Sequence, residues 1–110
     1  MFKISKNNEI EMTKGDTGRF EVNATSKDGI IYNFNAEDVI TFSVKRNVFE
    51  TEYILQKTIQ DCNTITIEPS DTTSLAVGKY VYDMQINLVT GDVITVITPR
   101  RFEILAEVTV

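Results

Sequence analysis

The chain has no histidine and no tryptophan, and holds one cysteine, two prolines and five glycines among 110 residues. Each scarcity closes off chemistry. Without histidine there is no Ser-His-Asp or Cys-His arrangement, no histidine-bearing zinc site, and none of the commonest general base near neutral pH. With Cys62 alone, an intrachain disulfide and a multi-cysteine metal site are both impossible. Set in DCNT between two expected strands, Cys62 reads as a half-buried turn residue rather than a reactive thiol or interchain crosslink, because no histidine is present to activate it. The lack of tryptophan removes the usual platform for stacking sugars. The glycines stand singly at turns, so no phosphate-binding loop, dinucleotide fingerprint or nucleophile elbow occurs. Carboxylate and lysine chemistry remain, but a carboxylate pair has meaning only in a cleft that splits its proton affinities. The expectation is a non-enzyme with no catalytic, cofactor-binding or metal-ligating residues and no cofactor.

Long apolar runs are missing as well. MFKISKNNEI holds no stretch of signal-peptide length, and nothing later approaches membrane-spanning length. The chain is therefore expected to remain in the cytoplasm at synthesis. Net charge is -5. That balance disfavours nucleic acid and anionic membranes as partners, since both demand a clustered positive surface. The adjacent basic pairs, Lys45-Arg46 and Arg100-Arg101, read as solvated strand ends. Glu37-Asp38, Asp61, Asp71 and Asp92 fall in expected loops without the dense acidic alternation of a calcium site, and read as solvated loop ends. Asn23-Ala24-Thr25 matches a glycosylation sequon, which means little without a secretion signal.

What is present is strand after strand. A length of 110 residues fits one domain over 1–110, and an apolar share of 42% with a charged share of 25% is ordinary for a globular chain. Phe20, Val22 and Ala24 alternate with Arg19, Glu21 and Asn23; Ile40, Phe42 and Val44 with Thr41, Ser43 and Lys45; Ile65 and Ile67 with Thr64, Thr66 and Glu68. The longest alternation sets Tyr80, Tyr82, Met84, Ile86 and Leu88 against Val81, Asp83, Gln85 and Asn87, which marks a central strand. Weaker segments are 10–13, 52–59, 92–98 and 101–106. Turn signals separate them: Lys14-Gly15-Asp16, Asp28-Gly29, Asn33 to Asp38, Cys62-Asn63 and Thr90-Gly91-Asp92, the last a hairpin. Pro99, which has no amide hydrogen, marks a bulge or an edge position. Seven or eight short strands without a periodic helix predict an all-β, antiparallel immunoglobulin-like β-sandwich.

The stretch SDTTSLAVGKYVYDMQI, Ser70 to Ile86, is the most informative. Ser70 or Asp71 is placed to cap one helical turn crossing between sheets, with Leu75 plugging the end of the core. Tyr80 is then placed to turn its hydroxyl back to the crossover as a tyrosine corner, its ring buried. Tyr82 takes the next inward position. Tyr32, Phe34, Phe49 and Tyr53 admit two readings, ordinary core filling or an aromatic binding platform, and core filling is preferred. Ile54, Val81, Val89, Val108 and Val110 are apolar at nominally outward positions, which suits a contact surface and suits scattered exposed hydrophobes equally.

The order KGDTGRFEVNA, DGIIYNF, DVITFSVKRN, NTITIEPSDTTSLAVGKYVYDMQI and TGDVITVITPRRFEI resembles the N-terminal immunoglobulin-like domain of baseplate upper proteins from siphophages of Gram-positive hosts. The resemblance rests on Gly15-Asp16-Thr17, Asp28-Gly29, Val39, Asp71-Thr72-Thr73, Gly78 to Tyr82 and Gly91, and spans about Thr13 to Ile104. It implies a phage or prophage tail or baseplate building block, a virion component without catalytic residues. Its partners would be further copies of itself and other virion proteins. Proteins of that kind continue into helices or further domains where this chain stops at Val110, so a small tail accessory protein is the expectation. A ligand-binding sandwich for carbohydrate or a cell surface is the alternative.

Overall fold

The alternations at 40–45, 64–67 and 80–87, and the described part of that at 19–24, become strands, because a pleated segment with one apolar face is stable only when that face is buried. The computed structural model describes residues 1–22 and 36–106. In chain order these form β1 (Phe2–Ile4), β2 (Ile10–Thr13), β3 (Gly18–Glu21), β4 (Val39–Lys45), β5 (Leu55–Gln60), β6 (Thr64–Ile67), the short helix α1 (Pro69–Thr73), β7 (Gly78–Asn87) and β8 (Val93–Leu105). A six-stranded sheet runs β1-β2-β8-β7-β4-β5, and β3 pairs with β6 in a second, two-stranded sheet. The all-β class is as expected, and β7 takes the interior place its long alternation called for.

The large sheet is mixed where an antiparallel one was expected. β2 runs parallel to β8, with Ile10 opposite Phe102 and Met12 opposite Ile104. A parallel neighbour requires a long crossover connection, and here the whole of the intervening chain serves as one. Two further departures have local causes. β1 is only three residues long, too short to show a period, and it pairs with β2 through Phe2 opposite Met12. The segments 92–98 and 101–106 are one 13-residue strand, β8, whose register against β7 shifts between Tyr82 and Met84 and again between Met84 and Gln85. The first shift falls at Pro99, where a residue without an amide hydrogen interrupts the ladder least.

Inward residues of both sheets form one core. Ile10 and Met12 of β2, Ile40, Phe42 and Val44 of β4, Ile65 and Ile67 of β6, Tyr80 through Ile86 at alternate positions of β7, and Phe102 and Ile104 of β8 are all buried, together with Val22. Phe42 lies at its centre, with ring centroids 5.7 Å from Phe20, 5.2 Å from Tyr82 and 6.1 Å from Phe102. The Phe20 contact ties the small sheet to the large one. Phe2 stacks on Phe20 at 5.9 Å and also covers Gly18, where an added Cβ would stand 2.4 Å from the Phe2 ring. Glycine at 18 thus lets β1 close over β3.

Candidate interaction surface

The Ser70 to Ile86 stretch is a corner of the scaffold. Glu68 is the N-cap of α1 and Asp71 is its third residue, and together they form a reciprocal capping box; the sequence had pointed to Ser70 or Asp71 as the cap itself. The Asp71 carboxylate accepts the Glu68 amide at 2.7 Å and pairs with Lys57 Nζ at 2.7 Å. Leu75 packs half-buried against the core. The Tyr80 ring is buried and its hydroxyl donates to the Ala76 carbonyl at 2.6 Å, the tyrosine corner that the sequence predicted. Tyr82 donates to the carbonyl of Asn8, anchoring the β1–β2 connection. Burial pushes its phenol up to about 12 from the usual 10.0, partly offset by the nearby Arg100 guanidinium.

The acidic residues set aside as loop ends are dispersed. Asp38 is buried, and its carboxylate accepts the Val89 amide at 3.0 Å, holding the β7–β8 hairpin. Asp61 takes a positive φ of 58° in the turn after β5, and Asp92 accepts the Thr90 hydroxyl at 3.3 Å. Glu37 is exposed. Among the described residues no group of three acidic, cysteine or histidine side chains could hold a metal ion. Cys62 is exposed rather than half-buried, with its thiol 3.8 Å from the Thr64 carbonyl. Arg100 and Arg101 lie within β8 and not at a strand end. Arg101 reaches Glu9 at 3.1 Å, Glu11 at 3.2 Å and Glu103 at 3.8 Å, an ion-pair cluster across β2 and β8.

The aromatic candidates divide. Tyr32 and Phe34 lie outside the described residues, as do the sequon, the Asp28-Gly29 turn, Val108 and Val110. Phe49 is 91% exposed and Tyr53 52% exposed, so neither fills the core. Both stand on the β4–β5 connection with Val48, which is also exposed, and Lys45 Nζ sits 5.2 Å from the Tyr53 ring centre. Short-range sequence contrast misleads here: the apolar runs beside Phe34 and Tyr53 suggest core filling, yet the Tyr53 ring stands exposed. Of the outward apolar positions, Ile54 packs against the core, Val81 is half-buried and Val89 is exposed. Val93 and Ile94 join Val89 as exposed residues beside the hairpin.

Between the layers a cleft of about 250 Å³ is lined by Ile4, Phe20, Val22, Met84 and Ile97, with Asn8, Glu21 and Tyr82. Its ionisable groups are one carboxyl and one phenol. It offers no second carboxylate to split proton affinities. Comparison of the chain with protein-family models, with curated proteins and with solved structures returns no match.

The residue that the sequence reading overlooked is Lys57. It shares the inward parity of Leu55 and Ile59, and an inward lysine at a sheet edge needs a counter-charge. That parity was available in LQKTIQ; its partner, Asp71, was not.

Proposed function

We propose that this chain is an immunoglobulin-like, non-enzymatic assembly module of a phage or prophage tail or baseplate that works through protein–protein contacts. One observation carries the reading. Large apolar side chains stand exposed at both ends of β4: Val48, Phe49 and Tyr53 beyond Lys45, and Val89, Val93 and Ile94 beside Val39 and Asn87. Such protruding apolar groups mark contact with other proteins, whereas a substrate site is concave and carries convergent polar groups.

Strand placement supports the immunoglobulin-like part. β3 and β6 oppose β4, β7 and β8, with β5 added beside β4, which matches the strand allotment of a variable-type sandwich. The Tyr80 corner at the start of β7 falls where that architecture keeps one. The phage assignment rests on the motif order noted above. To test it, particles are purified from an induced culture of the strain carrying the gene, and their proteins are quantified by mass spectrometry. The chain is expected in several copies per particle beside tail proteins. Its absence from particles, while abundant in the lysate, contradicts the assignment.

The exposure of Phe49 and Tyr53 on one connection favours a second reading, a sandwich that binds carbohydrate or a cell surface. Lys45 covers one face of Tyr53, which leaves Phe49 as the open ring. Calorimetric titration with host cell-wall saccharides separates the two. Saturable binding lost in Phe49→Ala supports the second reading, and no heat supports the first.

A further inference from the structure

Strand β5 ends the six-stranded sheet, and among the described residues it pairs on one side only, with β4. A sheet edge presents a row of unpaired amide and carbonyl groups, and proteins that must stay apart protect it with a covering helix or loop, outward or inward-pointing charge, proline, a bulge or very short length. The opposite edge, β1, has the last of these protections at three residues. β5 has no outward charge, proline or bulge. It runs six residues in unbroken register from Leu55 to Gln60, without proline. Its outward side chains, Gln56, Thr58 and Gln60, are exposed and uncharged. Its one charge, Lys57, is turned inward and neutralised by Asp71 at 2.7 Å.

We propose that β5 is a self-pairing edge: it hydrogen-bonds antiparallel to β5 of a second copy about a two-fold axis, so that two six-stranded sheets become one. The charge distribution selects a second copy as the occupant. On a chain of net charge -5, two copies meet most readily along a neutral row, and the outward row of β5 is neutral. Side-chain parity then fixes the register. In a sheet continued across a two-fold axis, outward residues oppose outward residues, so the pair is centred on a residue. Centring on Lys57 would set two ammonium groups face to face. Centring on Thr58 opposes Thr58 to Thr58 of the partner subunit, Gln56 to Gln60 of the partner subunit, and Lys57 to Ile59 of the partner subunit. That arrangement has no like-charge pair and supplies cross-strand polar contacts. It is isologous and closes at two copies.

This inference rests on the assembly reading, to which it adds a specific contact. It is tested on the purified chain by sedimentation velocity over a wide concentration range, beside Thr58→Lys, an exposed substitution that sets like charges opposite at the axis. Circular dichroism and the melting temperature verify that the variant is folded. The wild type is expected to dimerise reversibly, and Thr58→Lys to weaken dimerisation by about tenfold or more. Opposed residues lie about 4.5–5.5 Å apart between Cα atoms, within disulfide reach. Thr58→Cys in a Cys62→Ser background should therefore form a symmetric crosslink under mild oxidation, whereas Gln85→Cys on β7 should not. A wild type that remains monomeric at every concentration overturns the inference. Self-association that survives Thr58→Lys, with no Thr58→Cys crosslink, also overturns it, while leaving the assembly reading to stand on the composition of the particle.

Discussion

Tyr80 and Tyr82 occupy successive inward positions of β7 and satisfy their hydroxyls differently. Tyr80 bonds four residues back along its own chain, and Tyr82 bonds to a residue 74 positions away. Tyr80→Phe keeps the ring and removes the donor to Ala76. It should cost about 1 kcal/mol, read as a lower urea midpoint at unchanged slope. Tyr82 yields a pH dependence. Burial disfavours its phenolate, so the native phenol ionises near 12 and the unfolded one near 10.0. Its contribution is therefore complete below about pH 10 and is lost as pH rises toward 12. Urea midpoints of the wild type and Tyr82→Phe, compared from pH 8 upward, should show the wild-type advantage shrinking across that window. Both tyrosines were legible in the sequence because alternation fixes which way each points. The acceptor for Tyr80 was legible too, since it lies in the adjoining crossover, whereas Asn8 is joined to Tyr82 only by the fold.

At the scale of elements, the sequence is most readable where one face is buried and the other is wet. β4, β6 and β7 satisfy this, and their inward residues were named correctly. β8 was split in two because its register shifts break the alternation on which such reading depends. β1 escaped because three residues carry no period, and the parallel pairing of β2 with β8 joins residues about ninety positions apart. The connection after β4 misled because its aromatics look like core in sequence and stand outside it in space. α1 illustrates a local signal read almost correctly: Asp71 works in the cap, but from the third position. Asp71→Ala removes the acceptor for the Glu68 amide and leaves Lys57 without its counter-charge. It should cost about 1–2 kcal/mol in urea unfolding. Asp71→Asn keeps an acceptor and removes the charge, so it should lose less.

At the scale of the whole molecule, the exposed groups are what the proposed assembly role rests on. The chain has no histidine, and the cleft between its layers is lined by one carboxyl and one phenol. Large apolar groups stand exposed on the connection after β4 and around the β7–β8 hairpin, and β5, at one edge of the main sheet, is regular with an uncharged outward row. We read these as the features of a part built to join other parts. Amide hydrogen exchange of the purified chain, compared between dilute and concentrated solutions and resolved by segment, tests this most directly. The account predicts slow exchange throughout β7 at both concentrations, and exchange in Leu55 to Gln60 that slows as concentration rises. Exchange in β5 that is fast and identical at every concentration would contradict it.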